Sequence, residues 1–373
     1  MPGDAKRGFE AVKKFQCNRC HDGAGLDPAK RDLHCFGCHW DFMKGEVRAP
    51  APILKRWRGN VGYLRAAPSL WGIEQRMRPA WLERSIFEPQ DVRLGLIPTM
   101  PRLLITRQEA RDLAAHLTSK ARPPEPASLA GADPARGRRL MDEQQCGACH
   151  RFTGVPPVGG STEKYGGRDE TRDAVLIAPD HRFTRERSTA PALMAWIRDP
   201  LKIKKDTLMP QMPLDATERR DVVSYILTAR IDPLAPHRIP PRLPVLSRRV
   251  GYDELAEKIL AVTCRHCHSE PDVSLGDGGI GNTGGLGYIP RGVNYQEYKT
   301  TMAGRLDDQG NRASLFEPLA DGTPRMVGAL LMRHAELAGR PSAEIRGMPA
   351  YLPPLLAEEI QLVESWVAQG RPR

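Results

Sequence analysis

Asp133-Pro-Ala-Arg-Gly137-Arg-Arg-Leu-Met-Asp-Glu-Gln-Gln-Cys146-Gly-Ala-Cys149-His150 is the stretch that decides the fold. A short helical pattern, Pro134–Gln145, runs straight into two cysteines and a histidine. Cysteines at i and i+3 lie on one face of a helical turn. The histidine beside the second cysteine projects from the same turn. Two thiols and one imidazole are thereby aimed at a single object.

The arrangement recurs. All eight cysteines fall in C-x-x-C-H: Cys17/Cys20/His21, Cys35/Cys38/His39, Cys146/Cys149/His150 and Cys264/Cys267/His268. This is the attachment signature of c-type haem. The two thiols reach the vinyl groups on one porphyrin edge, and the histidine reaches the iron. Disulfides would not place a histidine after every second cysteine. A zinc knuckle suits Cys17/Cys20 with Cys35/Cys38, but the pairs at 146 and 264 have no second pair to complete four ligands. A thioredoxin-like site needs a βαβ pattern that the chain lacks. Four covalently bound haems are expected, with His21, His39, His150 and His268 as proximal ligands.

The frame around the motifs repeats as well. Asp4 and Asp133 precede the first cysteine of their motifs by 13 residues, and Gly8 and Gly137 by 9. Helical patterns Ala5–Gln16 and Tyr252–Thr263 match Pro134–Gln145. Downstream, Met100-Pro101 is followed nine residues on by Glu109, and Met209-Pro210 at the same distance by Glu218. Each leads into an amphipathic helix. Met348-Pro349 precedes a third, Leu356 to Gln369, which ends before Gly370.

Helix, haem motif, loop, Met-Pro and helix, three times over, resembles the class I cytochrome c fold. The resemblance implies a mainly α chain of three tandem helical domains with long irregular loops: 1–122 with two haems, then 131–232 and 250–373 with one each. Pro-rich linkers 123–130 and 233–249 separate them. It further implies that Met100, Met209 and Met348 are distal ligands. Met212, also before a proline, competes with Met209. The Cys35/Cys38 haem is left without an obvious distal ligand. His116, on the closing helix of the first domain, and His34, beside its own motif, are the candidates; Met43 and Met77 are further options. The pairing can also be swapped, with Met100 on the second haem and a histidine on the first.

Composition fits a soluble globular protein. Charged residues make up 27% and aromatic residues 6%, and no apolar run is long enough to span a membrane. Glycine and proline, at 34 each, fit long loops. The formal charge of +10 is uneven: residues 1–130 carry +8, 131–249 carry +6 and 250–373 carry −4. Different docking partners at the two ends follow from that. Nucleic-acid binding is not expected, since basic and aromatic residues do not interleave. The eight-glycine stretch Leu275–Gly292 contains Gly279-x-Gly281-x-x-Gly284, but it follows a haem motif rather than a strand, so it is read as a loop over haem.

The family resemblance implies a periplasmic or otherwise extracytoplasmic location, the export signal not being part of this sequence. The expected role is electron relay between redox proteins, free or as a subunit of a membrane-bound respiratory or photosynthetic complex, with no catalytic residues. A haem enzyme, peroxidase or small-molecule reductase, is the alternative if the Cys35/Cys38 iron is open.

Overall fold

A computed structural model describes residues 1–30, 33–51, 54–55, 67–89, 92, 100–122, 125–160, 178–270, 280–350 and 352–373. The fold is mainly α, as the repeat pattern predicts. The helices used below are α1 (Ala5–Lys14), α2 (Cys35–Lys44), α3 (Pro79–Phe87), α4 (Arg107–Thr118), α5 (Pro134–Glu143), α6 (Ala190–Arg198), α7 (Ala216–Thr228), α8 (Tyr252–Leu255), α9 (Arg325–Leu337) and α10 (Ala357–Ala368). Among the described residues the sheet is one short antiparallel pair, with Arg305 opposite Ala313 and Leu306 opposite Arg312.

The chain divides into two compact units. One holds 1–28, 66–97 and 105–235; the other holds 29–65, 98–104 and 236–373. The first unit contains the first two sequence repeats apart from 29–65 and 98–104. The second contains the third repeat, the Cys35/Cys38 motif and Met100.

In the first unit each repeat crosses its upstream helix over its closing helix. The same contact makes both crossings. Gly8 of α1 faces α4 so closely that a Cβ would lie 2.0 Å from the Asp112 carbonyl oxygen, and Gly137 of α5 meets the Asp221 carbonyl of α7 at the same distance. Only glycine lets two backbones approach in this way. A polar clamp closes each crossing. The Asp4 amide donates to Asp112 Oδ1 at 2.8 Å and Arg7 Nε to Asp112 Oδ2 at 2.8 Å. The Asp133 amide donates to Asp221 Oδ1 at 2.9 Å and Arg136 to Asp221 Oδ2 at 3.1 Å. Asp112 and Asp221 are both buried, which strengthens the charge-assisted bonds. Thr106 and Asp215 cap α4 and α7, each in a capping box with the glutamate three residues on, Glu109 or Glu218.

The two repeats of this unit also pack on each other. Gly72, at φ +65°, sits against the Ile203 carbonyl, and the Arg78 amide donates to the Arg187 carbonyl at 2.8 Å.

In the second unit the core gathers Val250, Tyr252, Leu255, Leu260, Val327, Val363 and Trp366. The segment 236–249 is not a loose spacer. Arg242 pairs with Glu364, the Leu246 amide donates to Ser365 Oγ at 2.9 Å, and Gln361 Nε2 donates to the Pro244 carbonyl at 2.7 Å, so it is strapped along α10.

Candidate haem sites

The first two sites are built alike. Gln16 and Gln145 adopt left-handed backbone, at φ 50° and 52°, and turn the chain out of α1 and α5 into tight turns Cys17–Arg19 and Cys146–Ala148. Cys20, the second expected attachment point of the first motif, is a half-buried thiol that ends its turn, and its amide donates to the Cys17 carbonyl at 3.2 Å. Cys149 is placed in the same way, its amide 3.3 Å from the Cys146 carbonyl. The His21 amide donates to the Cys17 carbonyl at 2.9 Å, and the His150 amide to the Cys146 carbonyl at 2.9 Å. Both cysteines and the histidine of each motif are thus held within one hydrogen-bonded turn.

The imidazoles are oriented by a second contact. His21 Nδ1 lies 2.7 Å from the Pro68 carbonyl oxygen, and His150 Nδ1 lies 2.9 Å from that of Pro179. A carbonyl only accepts, so Nδ1 carries the proton and Nε2 keeps its lone pair. Metal-binding histidines are prepared in this way. Burial holds His150 below the usual histidine range, in the neutral form that a ligand requires. These residues fit a haem iron. The sequence signal for the carbonyl partner was an Ala-Pro pair shared by both repeats, Ala67-Pro68 and Ala178-Pro179.

The third site solves the same problem differently. The residues after α8 continue as π-helical turns, Ala256–Cys264, which run directly into the motif. The His268 amide donates to the Cys264 carbonyl at 3.0 Å. A Cβ on Gly281 would lie 2.2 Å from the His268 ring, so glycine backbone closes directly on the imidazole. The described part of the glycine-rich stretch therefore reaches the third motif through Gly281, on a short helical turn Ile280–Thr283 rather than an open loop; residues 275–279, Gly279 among them, lie outside the described residues. The ring of Tyr295 stands edge-on at 5.2 Å. Burial pushes His268 down to about 4. The backbone of Val293 and Gly281 favours its protonated form, but neither aligns on Nδ1 as Pro68 and Pro179 do.

The Cys35/Cys38 motif differs again. Cys35 opens α2, and His34 caps that helix, with Nδ1 accepting from the Gly37 amide at 2.8 Å. His39 lies on α2, its ring centre 5.7 Å from Phe36 and 6.5 Å from His266. The Cys38 and Met43 side chains lie outside the described residues.

Burial favours the neutral thiol at Cys17, Cys146, Cys149 and Cys264. Burial raises Cys17 and Cys264 to about 12 and Cys146 to about 11, and the neighbouring sulfur of Cys20 adds to the rise at Cys17. Among the described residues they form no disulfide, and no group of three or more His, Cys, Asp or Glu side chains gathers as a metal site.

The methionines sit as follows. Met209 and Met212 both pack on the core of the second repeat, and the Met209 sulfur accepts from Trp196 Nε1 at 2.9 Å. Met348 packs on the core of the third repeat. Its amide donates to the Ala329 carbonyl at 2.8 Å, while the neighbouring Gly347 amide donates to buried Glu336 at 2.9 Å. Met100 is half-buried and falls in the second unit, whereas Cys17, Cys20 and His21 fall in the first. His116 packs on Phe9 with ring centres 5.3 Å apart. Its position on α4 matches that of Tyr225 on α7, where Arg138 stacks in place of Phe9. Sequence reasoning missed Asp112 and Asp221, although each lies twelve residues after its Met-Pro methionine.

No curated protein and no solved structure matches this chain. Residues 134–230 match the Cytochrome c family model. That segment is the second repeat, with Cys146, Cys149, His150 and Met209, and the chain accordingly carries a cytochrome c domain of the kind that binds haem c covalently and transfers electrons.

Proposed function

We propose that this chain is a tetrahaem c-type cytochrome relaying electrons between redox proteins outside the cytoplasm. The observation that carries the reading is the preparation of His21 and His150, each locked to a proline carbonyl with Nε2 left for iron. Bound haem c supplies one-electron exchange at its iron. The chain attaches the porphyrins through Cys17 and Cys20, Cys35 and Cys38, Cys146 and Cys149, and Cys264 and Cys267. His21, His39, His150 and His268 take the proximal positions. Met209 and Met348, seated on the cores of their repeats, take the distal ones in the second and third repeats. Met100 holds the corresponding sequence position in the first.

Soft thioether ligands favour ferrous iron and raise the potential. The chain's remaining work is to orient ligands and exclude water. The uneven charge, positive over the first two repeats and negative over the third, suits separate docking of donor and acceptor, one of them in a membrane-bound electron-transport complex.

Intact mass and a pyridine haemochrome assay on the purified protein test the count. Four haems per chain are expected; fewer overturns the tetrahaem reading. Carbon monoxide should leave the reduced spectrum unchanged. A change on one haem would move the reading to an enzyme of the peroxidase or small-molecule reductase class.

A further inference from the structure

We infer that His266 is the sixth ligand of the Cys35/Cys38 haem, so that one haem's distal ligand comes from inside another haem's attachment loop. The inference rests on the tetrahaem reading above. His39 and His266 both belong to the second unit, and their ring centres are 6.5 Å apart with planes inclined at 47°. A metal–imidazole bond is about 2 Å, so two imidazoles on opposite sides of one iron place their ring centres about 6 Å apart. Imidazoles that simply stack here come closer. His150 and His181 lie at 4.4 Å and His237 and His334 at 5.6 Å, with planes inclined at only 24° and 22°. The His39–His266 pair has the separation of ligands that share an ion.

Competing histidines of the unit are engaged elsewhere. His34 uses Nδ1 to cap α2, so Nε2 carries its proton and cannot ligate in that tautomer. His334 turns Nε2 to the Leu355 carbonyl at 2.9 Å and Nδ1 to His237 at 3.3 Å.

His266 is also well held. It lies between Cys264 and Cys267, and the Arg265 beside it is tied by its amide to the Leu260 carbonyl and by Nε to the Tyr295 carbonyl. The ring itself is exposed, as a ligand for a neighbouring haem must be. Two consequences follow. The Cys35/Cys38 haem has two nitrogen ligands and the lowest potential of the four. It also lies beside the Cys264/Cys267 haem, with His266 reaching its iron directly from that haem's attachment loop.

Near-infrared magnetic circular dichroism of the ferric protein separates bis-imidazole from imidazole–thioether haems. A haem count precedes it, because fewer than four haems in the native protein would sink the tetrahaem reading rather than this one. With four haems present, one bis-imidazole haem is expected in the native protein. H266M should convert it to the imidazole–thioether type and raise one potential. H266G should let carbon monoxide bind one haem in four, and added imidazole should restore the bis-imidazole band. A four-haem native protein without a bis-imidazole haem overturns the inference. So does a band that survives in H266G and disappears in His34→Ala.

Discussion

The first two repeats and the third hold the same three parts together by different forces. Nine residues before the first cysteine stand Gly8, Gly137 and Leu255; twelve residues after the Met-Pro methionine stand Asp112, Asp221 and Ile360. Where glycine meets aspartate, the helices touch backbone to backbone and a buried carboxylate clamps them. In the third repeat the corresponding residues, Leu255 and Ile360, are both buried in an apolar core with Trp366. The difference extends to the histidine, which faces a proline carbonyl in two repeats and lies under Gly281 in the third. The three repeats therefore keep the order and spacing of their parts while changing the contacts that hold them.

The sharpest test of that contrast lies behind Met348. Arg333 and Glu336 form an ion pair whose side chains are only 4% and 6% exposed. Glu336 also holds the Gly347 amide, so it fixes the loop that presents Met348. Glu336→Ala strands a buried guanidinium, and breaking such a pair costs about 3–5 kcal/mol. We expect a large loss of thermal stability, with weakening of the thioether-to-iron band of one haem. Unchanged melting would mean that the loop is held by its apolar contacts alone.

Next in size is Gly137→Ala. Alanine ordinarily improves a helix by about 1 kcal/mol over glycine. Here the new methyl would collide with backbone, and overpacking of this kind costs about 1–3 kcal/mol. The net sign should be destabilising in thermal melts of the holoprotein. Gly8→Ala should behave alike, whereas Leu255→Ala should destabilise the third repeat by leaving a cavity. A stabilised Gly137→Ala protein would show that the crossing can open without loss.

A smaller effect is expected at Asp112, and it fades in acid. The Arg7 side chain, with the Asp4 amide and Gln108, holds this carboxyl down at about 2. A depressed carboxyl stabilises the fold above its unfolded value near pH 4, and that contribution is lost as pH falls towards about 2. Arg7 is half exposed, so solvent screening limits the contribution to about 1 kcal/mol. Asp112→Asn should lower stability by about that amount at neutrality and flatten the acid limb, the two stability curves converging as pH falls from about 4 to 2. A parallel shift at every pH would mean that the charge of Asp112 is irrelevant.

Much of this was legible in the sequence. The helical class, the four motifs with their histidines and the glycines nine residues upstream all follow from short-range spacing, which a linear chain displays directly. What was not legible depends on distance across the fold. Pro68 lies 47 residues beyond His21, and Pro179 lies 29 beyond His150, so no fixed interval announces them. The π-helical turns of Ala256–Cys264 carry no residue signal that short-range spacing reads. His266 sits inside a motif whose middle positions carry no pattern, and it became visible only beside His39.

The smallest predicted effect bears on the choice between Met209 and Met212, which spacing alone favours in the direction of Met209. The Trp196 N–H is donated to the Met209 sulfur. A donor on a thioether draws electron density from it and makes it a weaker donor to iron, which favours the ferrous state. Trp196→Phe keeps the aromatic packing and removes that proton. If Met209 is the ligand, one haem potential should fall by a few tens of millivolts, the scale of a hydrogen bond of about 1 kcal/mol. Its thioether-to-iron band should persist. Met209→Leu should abolish the band while Met212→Leu leaves it, and the reverse pair of results would move the ligand to Met212 and make the Trp196 contact a matter of packing.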